Sequence, residues 1–247
     1  HPGLTEIRAV AAALARATGA SLGYLPEGGN AAGAAMLGFV PNRAGADAAD
    51  ERDGLNIEKM LSSPRHAYLL HGIEPDSDLA DSALADAALK SADTVMALTA
   101  FASDNLLDCC DILLPVATFA ETEGTFVNAE GRWQSFAAAA KAPGDARPAW
   151  RVLRVLADAL GARDCAYQSI DEIRSDIEAE VGRPEPDNAY AGEPELDFSP
   201  ADVSLDRLDV PVYSVDPVVR RSEPLQQTRV ARERGGDDST GAERKSA

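Results

Sequence analysis

The chain has 247 residues, of which 45% are hydrophobic, so it is long enough to bury a core and to form one or two domains. Its 41 acidic and 23 basic residues give a formal net charge of −18. This balance argues against a nucleic-acid-binding protein, which needs basic patches to neutralise phosphate, and favours solubility or contact with a basic partner. No run approaches the roughly 18 apolar residues of a membrane helix, and the first residues lack a signal-peptide pattern. We therefore expect no direct membrane insertion.

Residues 1–114 alternate helices with short apolar segments. Leu4, Ile7, Val10, Ala11 and Leu14 repeat at helical spacing up to Gly19, and residues 79–88 predict a second helix capped by Ser77 or Asp78. The predicted strands are residues 20–25, 66–71, 94–99 and 112–114. Short apolar strands separated by helices indicate a parallel sheet covered on both faces. We therefore predict an α/β fold with a parallel sheet flanked by helices in Rossmann-like layers.

The second half of the chain predicts helices and then an extended connector. One helix begins near Pro148 and ends at Gly161; Ser169 and Glu172 form a capping box for another that ends at Gly182. Periodicity vanishes over residues 183–210, and residues 231–247 have the polar composition of a disordered tail. We predict an α/β domain over 1–163, a helical and extended connector over 164–230, and disorder over 231–247.

The segment from Asp111 to Gln134 carries the densest pattern of polar and special residues. It predicts a strand stopped by Pro115, which has no N–H to donate, and then a loop that returns through turns at Gly124 and Gly131. We expect Arg132 to pair with Glu121 or Glu130, or to cap nearby carbonyls; the alternative is an ordinary surface loop. The polar residues of this loop are Glu121, Thr125, Asn128, Glu130, Arg132 and Gln134.

These residues resemble a known signature. The spacing Asp111-x-x-Leu-Pro115, followed by Glu121-x-x-Gly-Thr-x-x-Asn-x-Glu-Gly-Arg-x-Gln134, is similar to the pattern of the molybdopterin oxidoreductase superfamily. More narrowly, it resembles the G subunit of the bacterial NADH-quinone oxidoreductase, respiratory complex I, which retains the fold but not the chemistry. The resemblance covers about residues 1–163. It resumes at Tyr213-x-x-Asp-x-x-Val-Arg220-Arg221-x-x-x-Leu-Gln226.

The resemblance implies a role in electron transfer for the intact subunit, which would carry iron–sulfur clusters between NADH and quinone. The cluster cysteines would precede this region and a small β-barrel would follow it, so we expect a fragment, which also opens on His1. The fragment would be a scaffold at the cytoplasmic face of the membrane, with other peripheral-arm subunits as partners. We predict no catalytic residue, no metal, no molybdopterin and no other cofactor in it. Arg220 and Arg221 are a candidate interdomain clamp for carboxylates; the alternative is a solvated basic pair.

Two other features predict structure rather than a site. The glycine-rich residues 28–33 lack the spacing of a dinucleotide-binding loop, so we interpret Asn30 and Gly33 as a structural turn. Three cysteines are too few for a cubane cluster, and we expect adjacent Cys109 and Cys110 to point apart and to be inert.

Two other classes of function stay open. One is a catalytic molybdopterin oxidoreductase of the formate dehydrogenase type, which metal and pterin ligands upstream in the sequence would favour. The other is a stand-alone, redox-inactive interaction module, which a gene that begins near His1 and ends at Ala247 would favour.

Overall fold

The computed structural model of the protein describes residues 4–26, 28–41, 54–162, 165–183 and 212–235. The chain divides into two compact units that interleave along the sequence. The hairpin unit comprises residues 1–54, 124–136 and 168–208, and the sheet unit comprises residues 55–123, 137–167 and 209–247. The division into consecutive segments 1–163, 164–230 and 231–247 stays a prediction.

The helices and strands are numbered along the chain. The strands are β1 Ala67–His71, β2 Thr94–Thr99, β3 Ile112–Pro115, β4 Gly124–Val127 and β5 Trp133–Phe136. The helices are α1 Leu4–Thr18, α2 Ala31–Met36, α3 Ile57–Ser62, α4 Pro75–Asp78, α5 Ser82–Lys90, α6 Asp104–Cys109, α7 Ala149–Ala159, α8 Ile170–Val181, α9 Pro217–Arg220, α10 Glu223–Gln226 and α11 Arg229–Gly235.

A parallel sheet is the centre of the sheet unit. Its strand order is β1-β2-β3, and both neighbouring pairs are parallel, with Leu69 opposite Met96 and Met96 opposite Ile112. Parallel strands need crossover connections, which α4, α5 and α6 supply here. The predicted α/β class with a parallel sheet flanked by helices is confirmed.

The core of the sheet unit forms where these helices cover the sheet. One buried cluster comprises Leu70, Leu89, Val95, Ala97, Leu106 and Cys109, and a second comprises Leu61, Ala85 and Ala88. Asp81 caps α5, since its Oδ1 accepts a hydrogen bond from the Leu84 amide at 2.8 Å. The predicted cap at Ser77 or Asp78 is wrong because Pro75 begins the separate short helix α4 there.

The hairpin unit is built around the antiparallel pair β4–β5, with α1, α2 and α8. The polar loop predicted around residues 121–134 is therefore largely a β-hairpin, with Thr125 opposite Ser135 and Phe126 opposite Gln134. A Cβ at Gly124 would lie 2.6 Å from the ring of Phe136, so glycine is needed there. Ser169 caps α8 as predicted, since its Oγ accepts from the Glu172 amide; Glu172 Oε2 accepts from the amide of Gln168, one residue before the cap, rather than from that of Ser169.

The first 25 residues differ from the prediction in the segment 20–25 and in the buried face of α1. The predicted strand over residues 20–25 is wrong, since the structure gives these residues no strand conformation and Leu25 is 88% exposed. The helix α1 is confirmed, but its large apolar side chains Ile7, Val10 and Leu14 are exposed within the unit. The buried face of α1 consists of Ala9, Ala12 and Ala15 instead.

The connector and tail are described only in part. Helix α11 covers residues 231–235, the first part of the predicted disordered tail, whereas residues 236–247 and 184–211 lie outside the described residues. Across the described ranges, no helix has the length and apolar character that crossing a bilayer requires.

Candidate functional site

The carboxyl ends of β1, β2 and β3 lie at one edge of the parallel sheet. Ligands of open α/β sheets bind at this edge, so a binding site would be expected there. It carries a cavity of about 220 Å³ whose lining includes His71, Thr99, Phe101, residues 116–119 and residues 216–218. Ordinary small-molecule sites have volumes of about 300–1,000 Å³, and here the chain's own helix α9 contributes to the wall.

Two arginines fix α9 to this edge. Arg221 makes a bidentate contact with Glu74, with Nη1–Oε1 and Nη2–Oε2 distances of 2.7 and 3.0 Å. Arg220 Nη2 donates to Asp78 Oδ1 at 2.6 Å, and its Nη1 lies 3.2 Å from Glu74 Oε2 without the alignment of a hydrogen bond. Glu74 is only 5% exposed. The structure therefore places the candidate clamp against two carboxylates of the same unit, on α4 and just before it.

The segment that carries the arginines is tied down at several other points. Asp216 Oδ1 accepts from the amides of Val218 and Val219 and so caps α9. Gln226 Nε2 donates to the carbonyls of Tyr213 and Val219. The Arg221 guanidinium also lies 4.3 Å from the centroid of the Phe101 ring. Residues 213–226 are thus held as one local structure on the carboxyl edge.

The remaining polar groups at the edge form no catalytic constellation among the described residues. The Thr99 hydroxyl donates to the Phe101 carbonyl at 2.7 Å and accepts from the Phe101 amide at 3.1 Å. Partial burial lowers the pKa of His71 from its ordinary value. A hydroxyl bonded to local backbone and a neutral imidazole do not make an activated nucleophile with its base.

The His71 environment predicts a pH dependence of stability. Because the folded pKa lies below the unfolded value of about 6.5, the unfolded chain binds more protons between the two values. The free energy of unfolding should therefore fall as the pH drops through that window. Urea unfolding of the protein and of His71→Gln at a series of pH values measures this. His71→Gln should lose this pH dependence of the free energy of unfolding, whereas His66→Gln should retain it. Identical pH curves for the unmodified protein and His71→Gln would contradict the prediction.

The signature residues of the sheet unit fix the backbone around β3 and in the turn after it. Asp111 extends the β2–β3 ladder, since its Oδ2 accepts from the Val95 amide at 2.7 Å and its own amide donates to the Val95 carbonyl. Pro115 ends β3 opposite Thr99. Glu121 Oε2 accepts from the Thr118 amide at 2.9 Å and closes the short 3-10 turn Phe119–Glu121. Asp111 and Glu121 thus accept hydrogen bonds from backbone amides, and Pro115 ends the strand.

Asn128 organises the turn of the hairpin. Its Oδ1 accepts from the amides of Glu130 and Arg132 at 3.0 and 2.9 Å, while Gly131 has a φ of 76° that favours glycine. The Arg132 guanidinium is exposed and has no ion pair or hydrogen bond with the described residues. The predicted ion pair of Arg132 is therefore wrong: Glu121 accepts from the Thr118 amide instead, and Asn128 rather than Arg132 organises the turn.

Helix α8 is fixed to the hairpin through Thr125. Its Oγ1 accepts from Arg174 Nε at 2.9 Å and contacts Ser135 Oγ at 3.1 Å. Arg174 in turn pairs with Asp171, one turn earlier on α8. Gln134, also part of the signature, is exposed and contributes its backbone to the ladder opposite Phe126. The hairpin signature thus positions secondary structure rather than a reacting group.

Asn30 and Gly33, which the sequence places in a structural turn, make a long-range contact. Asn30 Oδ1 accepts from the Val127 amide of β4 at 2.8 Å. A Cβ at Gly33 would lie 2.4 Å from that same Oδ1, so glycine keeps the acceptor in place. Sequence reasoning missed this bond because its partners are 97 residues apart.

Replacing Asn30 by alanine should lower the free energy of unfolding by about 1–3 kcal/mol, because the partly buried Val127 amide loses its acceptor. Asn30→Asp keeps an oxygen at the same position and should cost much less. Chemical denaturation of both variants measures the difference. Equal losses in the two variants would show that the acceptor is not what matters.

The two adjacent cysteines do not point apart. Cys109 ends α6, Cys110 follows it, and their Sγ atoms lie 3.8 Å apart. The predicted divergence is wrong because it assumed strand geometry at what is a helix end. In the part of the chain that the structure describes, no group of three or more His, Cys, Asp or Glu side chains is placed to hold a metal ion.

Comparison with known proteins adds the family. The family model described as molybdopterin oxidoreductase matches residues 4–159, which include the whole parallel sheet and the signature hairpin. The chain belongs to the molybdopterin oxidoreductase family. This confirms the broader of the two resemblances carried by residues 111–134.

Individual relatives are similar at modest identity. The NADH-quinone oxidoreductase G subunit of Streptomyces coelicolor is 34% identical over 64% of this chain and 18% of its own length. The mitochondrial NADH-ubiquinone oxidoreductase 78 kDa subunit of Neurospora crassa is 29% identical over 55% of this chain and 20% of its own. The alpha subunit of F420-dependent formate dehydrogenase 2 of Methanococcus maripaludis is 34% identical over 50% and 20%. The chain thus spans about a fifth of these relatives' length.

The cofactor for which the family is named does not fit the described carboxyl edge. A pterin phosphate needs free cationic or N–H donors, and Arg220 and Arg221 already bond the carboxylates of Asp78 and Glu74. Residues 216–218 themselves line the cavity of about 220 Å³ at this edge.

Proposed function

We propose that the chain is part of an NADH-quinone oxidoreductase subunit of the G type and acts there as a scaffold. In this role it supports subunit contacts beside the electron-transfer path from NADH to quinone and does no redox chemistry of its own. The 34% identity to the Streptomyces coelicolor protein over 64% of the chain supports this assignment. The similarity to the Neurospora crassa 78 kDa subunit points the same way.

The main support for the scaffold role is that helix α9 occupies the carboxyl edge of the sheet. In an enzyme of this layered type the edge is left open for a ligand. Here helix α9 lies on it, and a bidentate Arg221–Glu74 contact holds the helix there. A mostly buried ion pair with further hydrogen bonds fixes one arrangement of the chain instead of leaving charged groups for a substrate.

The proposed scaffold receives its electron carriers from elsewhere in the intact subunit. An iron–sulfur cluster needs four ligands, and the chain has three cysteines. Two of these, Cys109 and Cys110, are committed to the sheet unit near its core. Clusters would accordingly be bound by other parts of the longer polypeptide.

The proposed partners are other subunits of the peripheral arm, which would place the chain at the cytoplasmic face of the membrane. The net charge of −18 suits docking against a basic partner surface, because complementary charge steers association. The exposed apolar side chains of α1, Ile7, Val10 and Leu14, supply area that a partner would cover.

The test is isolation of the protein from its native cells through an affinity tag. We expect it to elute with NADH-oxidising peripheral-arm subunits, identified by mass spectrometry, and with NADH-dependent reduction of an artificial acceptor by the assembly. The preparation should lack stoichiometric molybdenum by elemental analysis. Elution without any such subunit would contradict the proposal.

A second candidate is the alpha subunit of a formate dehydrogenase, favoured by 34% identity to the Methanococcus maripaludis protein. The same preparation distinguishes it. Stoichiometric molybdenum together with formate-dependent reduction of a viologen dye would establish this alternative and exclude the scaffold role.

A further inference from the structure

The adjacent thiols of Cys109 and Cys110 converge on one point. Their sulfur atoms lie 3.8 Å apart, close enough for one S–H to donate to the other sulfur. Cys109 is the last residue of α6, and Cys110 leaves the helix with φ −107° and ψ 135°. Neighbouring side chains in a strand would point to opposite faces, so the helix end creates this pair.

The two residues of the pair differ in burial. Cys109 is buried in the cluster with Leu70, Val95 and Leu106, whereas Cys110 packs against that cluster and is partly exposed. Among the described residues, no third His, Cys, Asp or Glu joins the two sulfurs in a metal-binding group. The pair therefore offers two soft ligands and leaves any third ligand to the incoming species.

We propose that Cys109 and Cys110 form a chelating site for trivalent arsenic, taken up as arsenous acid. Soft sulfur ligands select soft centres, and structural zinc sites and iron–sulfur clusters need four protein ligands. Arsenic(III) needs only three bonds and brings a hydroxyl of its own. Two thiols and one hydroxyl complete its coordination.

A direct disulfide between the two cysteines is the competing product, and the backbone disfavours it. Disulfide-linked residues have Cα atoms about 4.4–6.8 Å apart, whereas adjacent residues across a trans peptide are held at about 3.8 Å. An arsenic atom placed between the sulfurs widens the ring and avoids this mismatch. The site therefore favours insertion of an atom over direct oxidation.

The reaction proceeds in two like steps. Cys110 Sγ forms a bond to arsenic and displaces one hydroxyl, which leaves as water with the thiol proton; Cys109 Sγ then displaces a second hydroxyl in the same way. One As(OH)₃ and two thiols give one HO–As(SR)₂ and two waters. Arsenic stays trivalent and sulfur is neither oxidised nor reduced, so no further reactant is needed.

The pKa values of the two thiols set the rate at which the arsenic adduct forms. Burial raises the pKa of Cys109 and, with a contribution from the neighbouring thiol, raises the pKa of Cys110 to about 12. Because the thiolate is the nucleophile, the rate of adduct formation should increase with pH across the neutral range. Capture at neutral pH should be slow but, once both sulfurs are bound, long-lived.

Native mass spectrometry of the full chain with sodium arsenite tests the site. We expect one arsenic per chain, released by 2,3-dimercaptopropanol and not by a monothiol. Cys165→Ser, the matched control, should bind as the unmodified protein does. Cys109→Ser and Cys110→Ser should each weaken binding by about a hundredfold, because the second bond is no longer intramolecular.

Cys110 is partly exposed, so Cys110→Ser decides the outcome even where Cys109→Ser disturbs the core; far-ultraviolet circular dichroism checks the fold of each variant. Undiminished binding by a folded Cys110→Ser protein would overturn the proposal. So would loss of binding in Cys165→Ser, or the absence of any adduct in the unmodified protein.

Discussion

Replacing Leu106 by alanine is expected to lower the free energy of unfolding by about 2–5 kcal/mol. Leu106 lies on α6 with 0% exposure and packs in the cluster beneath the parallel sheet. Truncation removes its transfer free energy and leaves a cavity against Leu70, Leu89 and Val95, which the rigid sheet closes only partly.

The neighbouring residue supplies a matched control. Leu107 is 60% exposed on the same helix, so Leu107→Ala makes the same chemical change without opening a cavity. Urea unfolding followed by circular dichroism should show a change of about 0.5 kcal/mol or less for this variant. Similar losses at both positions would mean that α6 does not bury the face that the structure shows.

Local patterns were sufficient for much of the fold. Apolar runs bounded by polar residues predicted β1, β2 and β3, and their separation by helices predicted that they are parallel. The capping box Ser169–Glu172 and the glycine with φ 68° at residue 182 located both ends of α8. Such signals lie within a few residues of the structure they specify.

Predictions failed where a local pattern is compatible with two outcomes. The spacing of Ile7, Val10 and Leu14 indicates a helix with one apolar face, but it does not say which face packs inward. The structure buries Ala9, Ala12 and Ala15 because small side chains allow close approach. Likewise, residues 20–25 are apolar enough for a strand but have no neighbouring strand among the described residues with which to pair.

The candidate site depended on contacts that local patterns do not specify. The Arg-Arg motif suggested a clamp for carboxylates, yet Glu74 lies 147 residues before Arg221. The available signal was Glu74 itself, an acid just after a predicted strand and just before Pro75, at the edge where parallel strands end. The local sequence does not show which distant segment folds back onto that edge.

Family membership, like a local sequence pattern, does not by itself decide the function. Family membership identifies a fold used by enzymes and by subunits named for NADH-quinone oxidoreductase alike. For this chain we propose that the state of the carboxyl edge separates the two roles. Helix α9 and its arginines lie where a ligand would bind, so the strength of that attachment is the property to measure.

Arg221→Ala is expected to lower the free energy of unfolding by about 1.5–3 kcal/mol, because the buried carboxylate of Glu74 loses its bidentate hydrogen bonds while Arg220 stays 3.2 Å away. Arg220 stays nearby, but its Nη1 is not aligned to hydrogen-bond Glu74. Amide exchange over residues 213–226 should accelerate as the segment loosens. Denaturant unfolding and exchange mass spectrometry measure the two effects.

Arg132→Ala is the matched control, since that guanidinium is exposed and unpaired among the described residues, and it should change stability by no more than about 0.5 kcal/mol. Glu74→Gln combined with Arg221→Ala should cost less than the sum of the single changes, with a coupling of about 1–3 kcal/mol. A loss below about 1 kcal/mol for Arg221→Ala would place the pair with ordinary surface ion pairs. Helix α9 would then be only weakly attached to the sheet edge, and that result would contradict the proposed scaffold role.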